Sequence, residues 1–172
     1  MIKFIKNKNL INYSNETQLF KFLAFIINTT RYTIIMDDIP NNKKIILFDG
    51  VCNLCDSAVQ FIIKHDKKDI FRFVALQSEL GISICKYLGI SFSKMDSIIL
   101  YNPGVAYFYK SSAVIEIAKH FGGLWKLTPV FRIVPIFISD RIYDYVAKNR
   151  YNWYGKKESC LIPTPELKSK FL

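Results

Sequence analysis

Four apolar residues, Ile45-Ile46-Leu47-Phe48, run without a spacer into Asp49-Gly50-Val51-Cys52-Asn53-Leu54-Cys55, after which Ala58, Val59, Ile62 and Ile63 recur at helical spacing. A buried strand must therefore give way to a helix inside one short stretch, the strand being 45–48 and the helix running from about Cys55 through Ile63. Two thiols stand at that junction. The unpaired N–H groups and the dipole of a helix start stabilise a thiolate, and two cysteines one turn apart can close into a disulfide. Backbone geometry alone thus points to redox chemistry.

From Ile45 onward, short apolar runs alternate with helical periods in the order β, α, β, α, β, β, α. Phe71-Arg72-Phe73-Val74-Ala75-Leu76 is the second strand. Ser78 can cap a second helix with a Leu80, Ile84 and Leu88 stripe that Gly89 ends. Residues 97–101 and 105–109 are strands joined by Asn102-Pro103-Gly104, a hairpin turn. Ser111 or Ser112 opens a third helix with Val114, Ile117, Ala118 and Phe121 on one face, closed by Gly122-Gly123. This ordering is that of a thioredoxin-like α/β core over residues 45–123.

Residues 124–172 read as a helical and loop extension packed on that core. Thr128 with Pro129 starts a short helix, and Ser139 caps a longer one carrying Ile142, Tyr145 and Val146, with Asp144 and Lys148 as an i, i+4 pair. Residues 149–160 read as an aromatic and basic loop ending at Cys160. At the other end, residues 1–44 are an extension and polar linker with a different composition. Either Met36 is the natural start, or a helix docks through Leu19, Phe22, Leu23 and Ile26.

At 172 residues and 51% hydrophobic content the chain can bury one good core. Four cysteines, Cys52, Cys55, Cys85 and Cys160, are too few and too unevenly spaced for a disulfide-stapled secreted domain, which favours a reducing compartment and a cytoplasmic location. The net charge of +10 is spread along the chain, without the interleaved basic and aromatic pattern of a nucleic-acid site. No stretch reaches the ~20 apolar residues of a membrane span, residues 124–138 being broken by Lys126, Pro129, Arg132 and Pro135. The run 22–27 is too short for an export signal.

Three readings of the Cys52 and Cys55 pair compete. In the first, Cys52, nearest the helix tip and solvent, attacks a substrate sulfur and Cys55 resolves the mixed disulfide. In the second, the pair is half of a zinc shell completed by Cys160 and His65, in a non-catalytic zinc-binding or interaction module. In the third, the two are packed structural residues. Asp49 either relays a proton or orients the 50–55 loop by accepting its N–H groups. An ionised Asp49 close to Cys52 would oppose thiolate formation unless its charge is neutralised or turned away. Cys160 is a third redox thiol or a residue locking the tail, Cys85 is core, and Trp153 packs the tail or joins Arg150, Lys156 and Lys157 in a basic aromatic rim.

With Phe48-Asp49-Gly50-Val51-Cys52-Asn53-Leu54-Cys55, the chain resembles the DCC family of thiol-disulfide oxidoreductases. Further landmarks follow in that family's order: Phe71-Arg72-Phe73, Leu76-Gln77-Ser78, Asp96-Ser97-Ile98-Ile99-Leu100, Ala147-Lys148-Asn149-Arg150-Tyr151 with Trp153, and Cys160 with Pro163-Thr164-Pro165-Glu166-Leu167. The resemblance spans about 45–172. It implies a thioredoxin-like scaffold and dithiol-disulfide exchange, with Asp49, Cys52 and Cys55 as the functional residues. One departure concerns the wider thioredoxin fold, where a proline, usually cis, commonly precedes the third strand; here Met95-Asp96-Ser97 takes its place. The expected activity is that of a protein-disulfide reductase with no bound cofactor or metal, served by an electron donor and acting on a protein or small-molecule thiol or disulfide.

Overall fold

Apolar runs bounded by capping residues and glycines give clean element limits in the computed structural model, which describes residues 3–4, 39–90, 97–157 and 165–172. The elements are β1 (Lys3–Phe4), β2 (Lys44–Phe48), α1 (Asn53–His65), β3 (Phe71–Ala75), α2 (Glu79–Tyr87), β4 (Ile99–Asn102), β5 (Ala106–Tyr109), α3 (Lys110–Ala118), a 3₁₀ segment (Gly123–Ile133), α4 (Ile136–Tyr154) and a second 3₁₀ segment (Pro165–Lys170). They form one sheet in the order β1-β5-β4-β2-β3. Only β2 and β3 run parallel; β2 with β4, β4 with β5 and β5 with β1 are antiparallel. This is the thioredoxin-like topology expected from the alternation of elements, followed by a long C-terminal helix.

The unbroken apolar run of β2 is explained by its place inside the sheet, with helices on both faces. Ile46 and Phe48 point to one side, where Phe71, Phe73 and Leu100 meet Val59 and Ile62 of α1 and Ala113 and Ile117 of α3. Ile45 and Leu47 point to the other, against Val74, Ile99, Ile84, Cys85 and Leu88. The period-two alternation of a strand thus serves two cores at once. Cys85 is fully buried there, as its place beside the α2 stripe suggests.

Ser78 caps α2 as expected, its hydroxyl accepting the Gly81 N–H at 3.0 Å. Gly89 terminates that helix in the left-handed region, φ +66°. Other boundaries differ. α3 begins at Lys110, with no side-chain cap. The 3₁₀ segment stands where a short helix from Thr128 is expected, and α4 starts at Ile136 behind Pro135 and not at Ser139. It continues to Tyr154, so residues 149–154, read as loop, are helical. Asp144 pairs with Lys110 of α3 at 2.8 Å and not with Lys148, because the packed neighbour offers a partner across the α3–α4 contact. The sequence gives no expectation of β1; the expectations for Leu19, Phe22, Leu23, Ile26 and Met36, and for Met95, Asp96 and Cys160, lie outside the described residues.

Asp69, in the left-handed region at φ +53°, gathers Lys43 at 2.7 Å, Arg72 at 2.7 Å and Lys170 at 2.5 Å. Hydrogen bonds from Arg72, Lys170 and Lys43 hold its carboxyl well below the usual carboxylate range. The cluster ties the C-terminal 3₁₀ segment to the base of β3, where Phe171 also packs on Phe73 with ring centroids 5.6 Å apart.

Gly81 marks a close approach: a Cβ there would lie 2.1 Å from the Ala75 carbonyl oxygen, which belongs to the strand and cannot turn away. Gly81→Ala is therefore expected to destabilise the fold by about 1–3 kcal/mol despite alanine's better helix propensity, measured by urea unfolding.

Candidate active site

The β2–α1 junction places the sequence motif at the C-terminal end of β2, an interior strand of the sheet. Cys52 is the N-cap of α1, and its sulfur accepts the Cys55 N–H at 3.5 Å. Asp49, Cys52 and Cys55 come together, with a carboxylate oxygen and the two Sγ atoms all within 4.8 Å of one another. Both cysteines are free thiols.

Their exposures invert the expectation. Cys52, expected nearest solvent, is 0% exposed, whereas Cys55 is only partly buried. The cause is the chain after α4. Lys156 forms an antiparallel bridge with Cys52, the Lys157 N–H donates to the Val51 carbonyl at 2.8 Å, and the Asn53 amide donates to the Tyr154 carbonyl at 2.8 Å. Lys157 also pairs with the Asp56 carboxylate. Residues 154–157 thus lie as a strap across the motif, turning at Gly155 with φ +80°.

Asp49 is buried at 4% exposure, and both its oxygens are occupied. Oδ1 accepts the Gln77 amide at 2.7 Å and the Val51 N–H at 3.2 Å. Oδ2 accepts Arg150 Nη2 at 2.7 Å and the Tyr151 hydroxyl. Gln77 also accepts the Gly50 N–H at 3.2 Å, so two loop amides are held by one side-chain pair. Arg150 pairs with the carboxylate and so offsets, without abolishing, its opposition to a thiolate at Cys55.

Arg150 is itself buried and reaches Cys55, with Nη1 3.8 Å from Sγ. Burial disfavours its charge, but the hydrogen bond with Tyr151 and the neighbouring Cys55, Tyr151 and Asp49 outweigh that, so its pKa is pushed above the ordinary value. Cys55 is pushed up to about 12 by burial first and by its hydrogen bond with Cys52 second, while Arg150 works in the opposite direction. Burial and the hydrogen bond to Asp49 likewise raise Tyr151 to about 12.

Tyr143 of α4 completes the surroundings. Its hydroxyl accepts the Ile98 N–H at 2.8 Å, just before β4, and the Ile98 carbonyl accepts the Lys110 N–H at 3.2 Å. Arg150 and Gln77 belong to family landmarks noted in the sequence, but their union with Asp49 does not show in spacing, since Arg150 and Asp49 are 101 residues apart. Tyr143 carries no sequence signal; the stripe read for this helix is Ile142, Tyr145 and Val146.

A zinc shell does not fit this donor set. The Asp49 oxygens are spoken for, and the Arg150 guanidinium lies against Cys55, where a divalent cation would meet a fixed positive charge. His65 packs instead among Phe61, Phe121 and Trp125, its Nδ1 turned to the Phe61 carbonyl at 2.8 Å. Trp153 is 52% exposed and stacks edge-on against Tyr145, so it does not pin the tail onto the domain.

Asp49→Asn or Arg150→Met each leaves the other partner buried without its counter-charge, at an expected cost of about 3–5 kcal/mol in urea unfolding, with the double variant recovering part of it. In the reduced protein, alkylation of Cys55 by iodoacetamide keeps rising steeply with pH beyond 10, because a raised thiol pKa delays thiolate formation, whereas a free cysteine, with its midpoint near ~8.5, is close to its plateau by then. Cys52→Ala, which removes the raising hydrogen bond, moves that plateau to lower pH.

Residues 46–156 match the DCC1-like thiol-disulfide oxidoreductase family. The uncharacterized protein YuxK of Bacillus subtilis is 45% identical over 136 residues, covering 79% of this chain and 97% of that protein. A chloroplastic DCC family protein of Arabidopsis thaliana is 37% identical over 121 residues, covering 70% of each. No solved structure matches the chain. The strand-to-helix dithiol, its buried acidic partner and the extent of these matches lead to one conclusion: this chain belongs to the DCC1-like family of thiol-disulfide oxidoreductases.

Proposed function

We propose that Cys52 and Cys55 cycle between dithiol and disulfide, making the chain a protein-disulfide reductase in a reducing compartment such as the cytoplasm. The observation that carries this reading is the convergence of the two sulfurs and Asp49 within 4.8 Å at a helix N-terminus. Thiolate attack on a substrate disulfide gives a mixed disulfide, and the second cysteine then attacks the first to release the reduced substrate. A dithiol donor restores the pair. Family membership supports the redox assignment.

Asp49 acts in this reading as a positioning residue. It holds the Val51 N–H, offsets the Arg150 charge and fixes Gln77, so the loop presents its thiols in one geometry. Arg150 is the counter-ion for negative charge developing on Cys55. No helix among the described residues is long and apolar enough to cross a membrane. The partner class is thus a thiol or disulfide that reaches the site from the surrounding phase.

With dithiothreitol as donor and insulin as acceptor, the wild-type protein is expected to accelerate disulfide reduction well beyond dithiothreitol alone. Cys52→Ser and Cys55→Ser should each lower the enzyme-dependent rate at least 100-fold. A wild-type rate equal to the donor background would remove the reading.

A further inference from the structure

The two sulfurs face different surroundings. A pocket of about 250 Å³ lies between α1, α3 and α4, and Cys55 is in its wall while Cys52 is not. Phe48, Leu54, Ile98, Val114 and Val146 make the rest of that wall largely apolar, and Asp49, Tyr143 and Arg150 supply its polar groups. Tyr143 is committed to Ile98, and Arg150 to Asp49, so the polar groups face inward to partners of their own.

We infer that substrate sulfur meets the pair at Cys55, through this pocket, and that the substrate is a cysteine flanked by apolar side chains in a peptide or protein. The inference rests on the dithiol reading above and adds to it the point of attack and the class of substrate. Cys52 is sealed by the 154–157 strap, so an incoming sulfur has no approach to it. The pocket volume exceeds the ~150 Å³ that a benzene-sized guest fills in an apolar cavity, so one aromatic or branched side chain fits and a hydrated, charged tripeptide does not. A second apolar cavity of about 470 Å³ shares Val114, Tyr143 and Val146 and leads toward Trp125, giving room for a second apolar group. Recognition by strand addition at Ile98 is closed, because both of its backbone groups are already bonded within the chain. Side chains must therefore supply the affinity.

The oxidised pair, which the reductase cycle proposed above leaves after each turnover, is the form that an incoming thiolate meets. A substrate thiolate attacks Cys55 Sγ of the Cys52–Cys55 disulfide; the new bond joins substrate sulfur to Cys55, and Cys52 leaves as a thiolate that later takes a proton. Cys52 leaves onto the N-terminus of α1, where the Cys55 N–H already points at its sulfur, a placement that favours negative charge. As the electrophile, Cys55 needs no thiolate of its own in this step; its raised pKa slows its departure in the next one, where the Arg150 guanidinium 3.8 Å away offsets the charge it takes up. A second substrate thiolate attacks the first substrate sulfur, forming the substrate disulfide and releasing Cys55 beside Arg150. Two electrons pass from two substrate thiols to the protein pair. Run in reverse, which is the reductase direction proposed above, the same bonds reduce an apolar disulfide: Cys55 attacks as a thiolate beside the Arg150 guanidinium, and Cys52 then attacks Cys55 to release the substrate.

The test oxidises the wild-type protein and mixes it with N-acetyl-Phe-Cys-Phe-amide or N-acetyl-Gly-Cys-Gly-amide. Samples are quenched in acid, denatured, capped with N-ethylmaleimide and mapped by mass spectrometry. The expected result is peptide disulfide on Cys55 with maleimide on Cys52, and a rate at least tenfold higher for the phenylalanine peptide. Ala147→Phe, which fills the pocket, should lower the ratio of the two rates. Peptide on Cys52, or equal rates for the two peptides in wild type, overturns the inference and leaves the dithiol reading standing. Failure of the protein to form a Cys52–Cys55 disulfide at all removes both.

Discussion

The buried ion pair between Asp49 and Arg150 holds the C-terminal helix to the active loop. A carboxylate and a guanidinium taken out of water are tolerated only when their hydrogen bonds are well satisfied, and here Gln77, Tyr151 and the Val51 N–H complete the set around Asp49. The pair joins the β2–α1 turn to α4 across 101 residues of chain. The segment C-terminal to α4 is thereby directed over Cys52, and the turns of α4 before Arg150 become a wall of the pocket at Cys55. Sealing of one thiol and access to the other are two consequences of one contact.

This arrangement separates the tasks that a thioredoxin-like scaffold usually gathers at the end of its sheet. The sheet and α1 supply the dithiol. α4 supplies the counter-ion, through Arg150, and closes the backbone before β4, through Tyr143. In the proposed route, a substrate meets side chains of α1, α3 and α4, and its chemistry suits their apolar lining. The family match covers 46–156, so it takes in α4 and most of the strap as well as the dithiol, in keeping with a site built from both parts.

Much of the fold is legible in the sequence because its signals are local. The run 45–48, the Ser78 cap, Gly89 and the 102–104 turn each act through the backbone of a few neighbouring residues, and each element they bound is present. Signals that depend on a partner far along the chain mislead. Residues 149–154 look like a loop because they are polar and aromatic without a clear stripe, yet packing of Arg150 and Tyr151 on Asp49 keeps them helical. The i, i+4 pairing of Asp144 with Lys148 is a sound local expectation that loses to Lys110 once α3 lies alongside.

The candidate site divides along the same line. Sequence by itself determined which atoms are available: two sulfurs one turn apart at a helix start, with a carboxylate three residues ahead, because spacing along a strand and a helix fixes those distances. Only the tertiary structure decided what each atom faces. Cys52 is the more exposed position by its place at the helix tip, but accessibility depends on what the rest of the chain lays over that tip, and here residues 154–157 cover it. Burial and counter-charge are properties of packing between distant segments, and no local pattern encodes them.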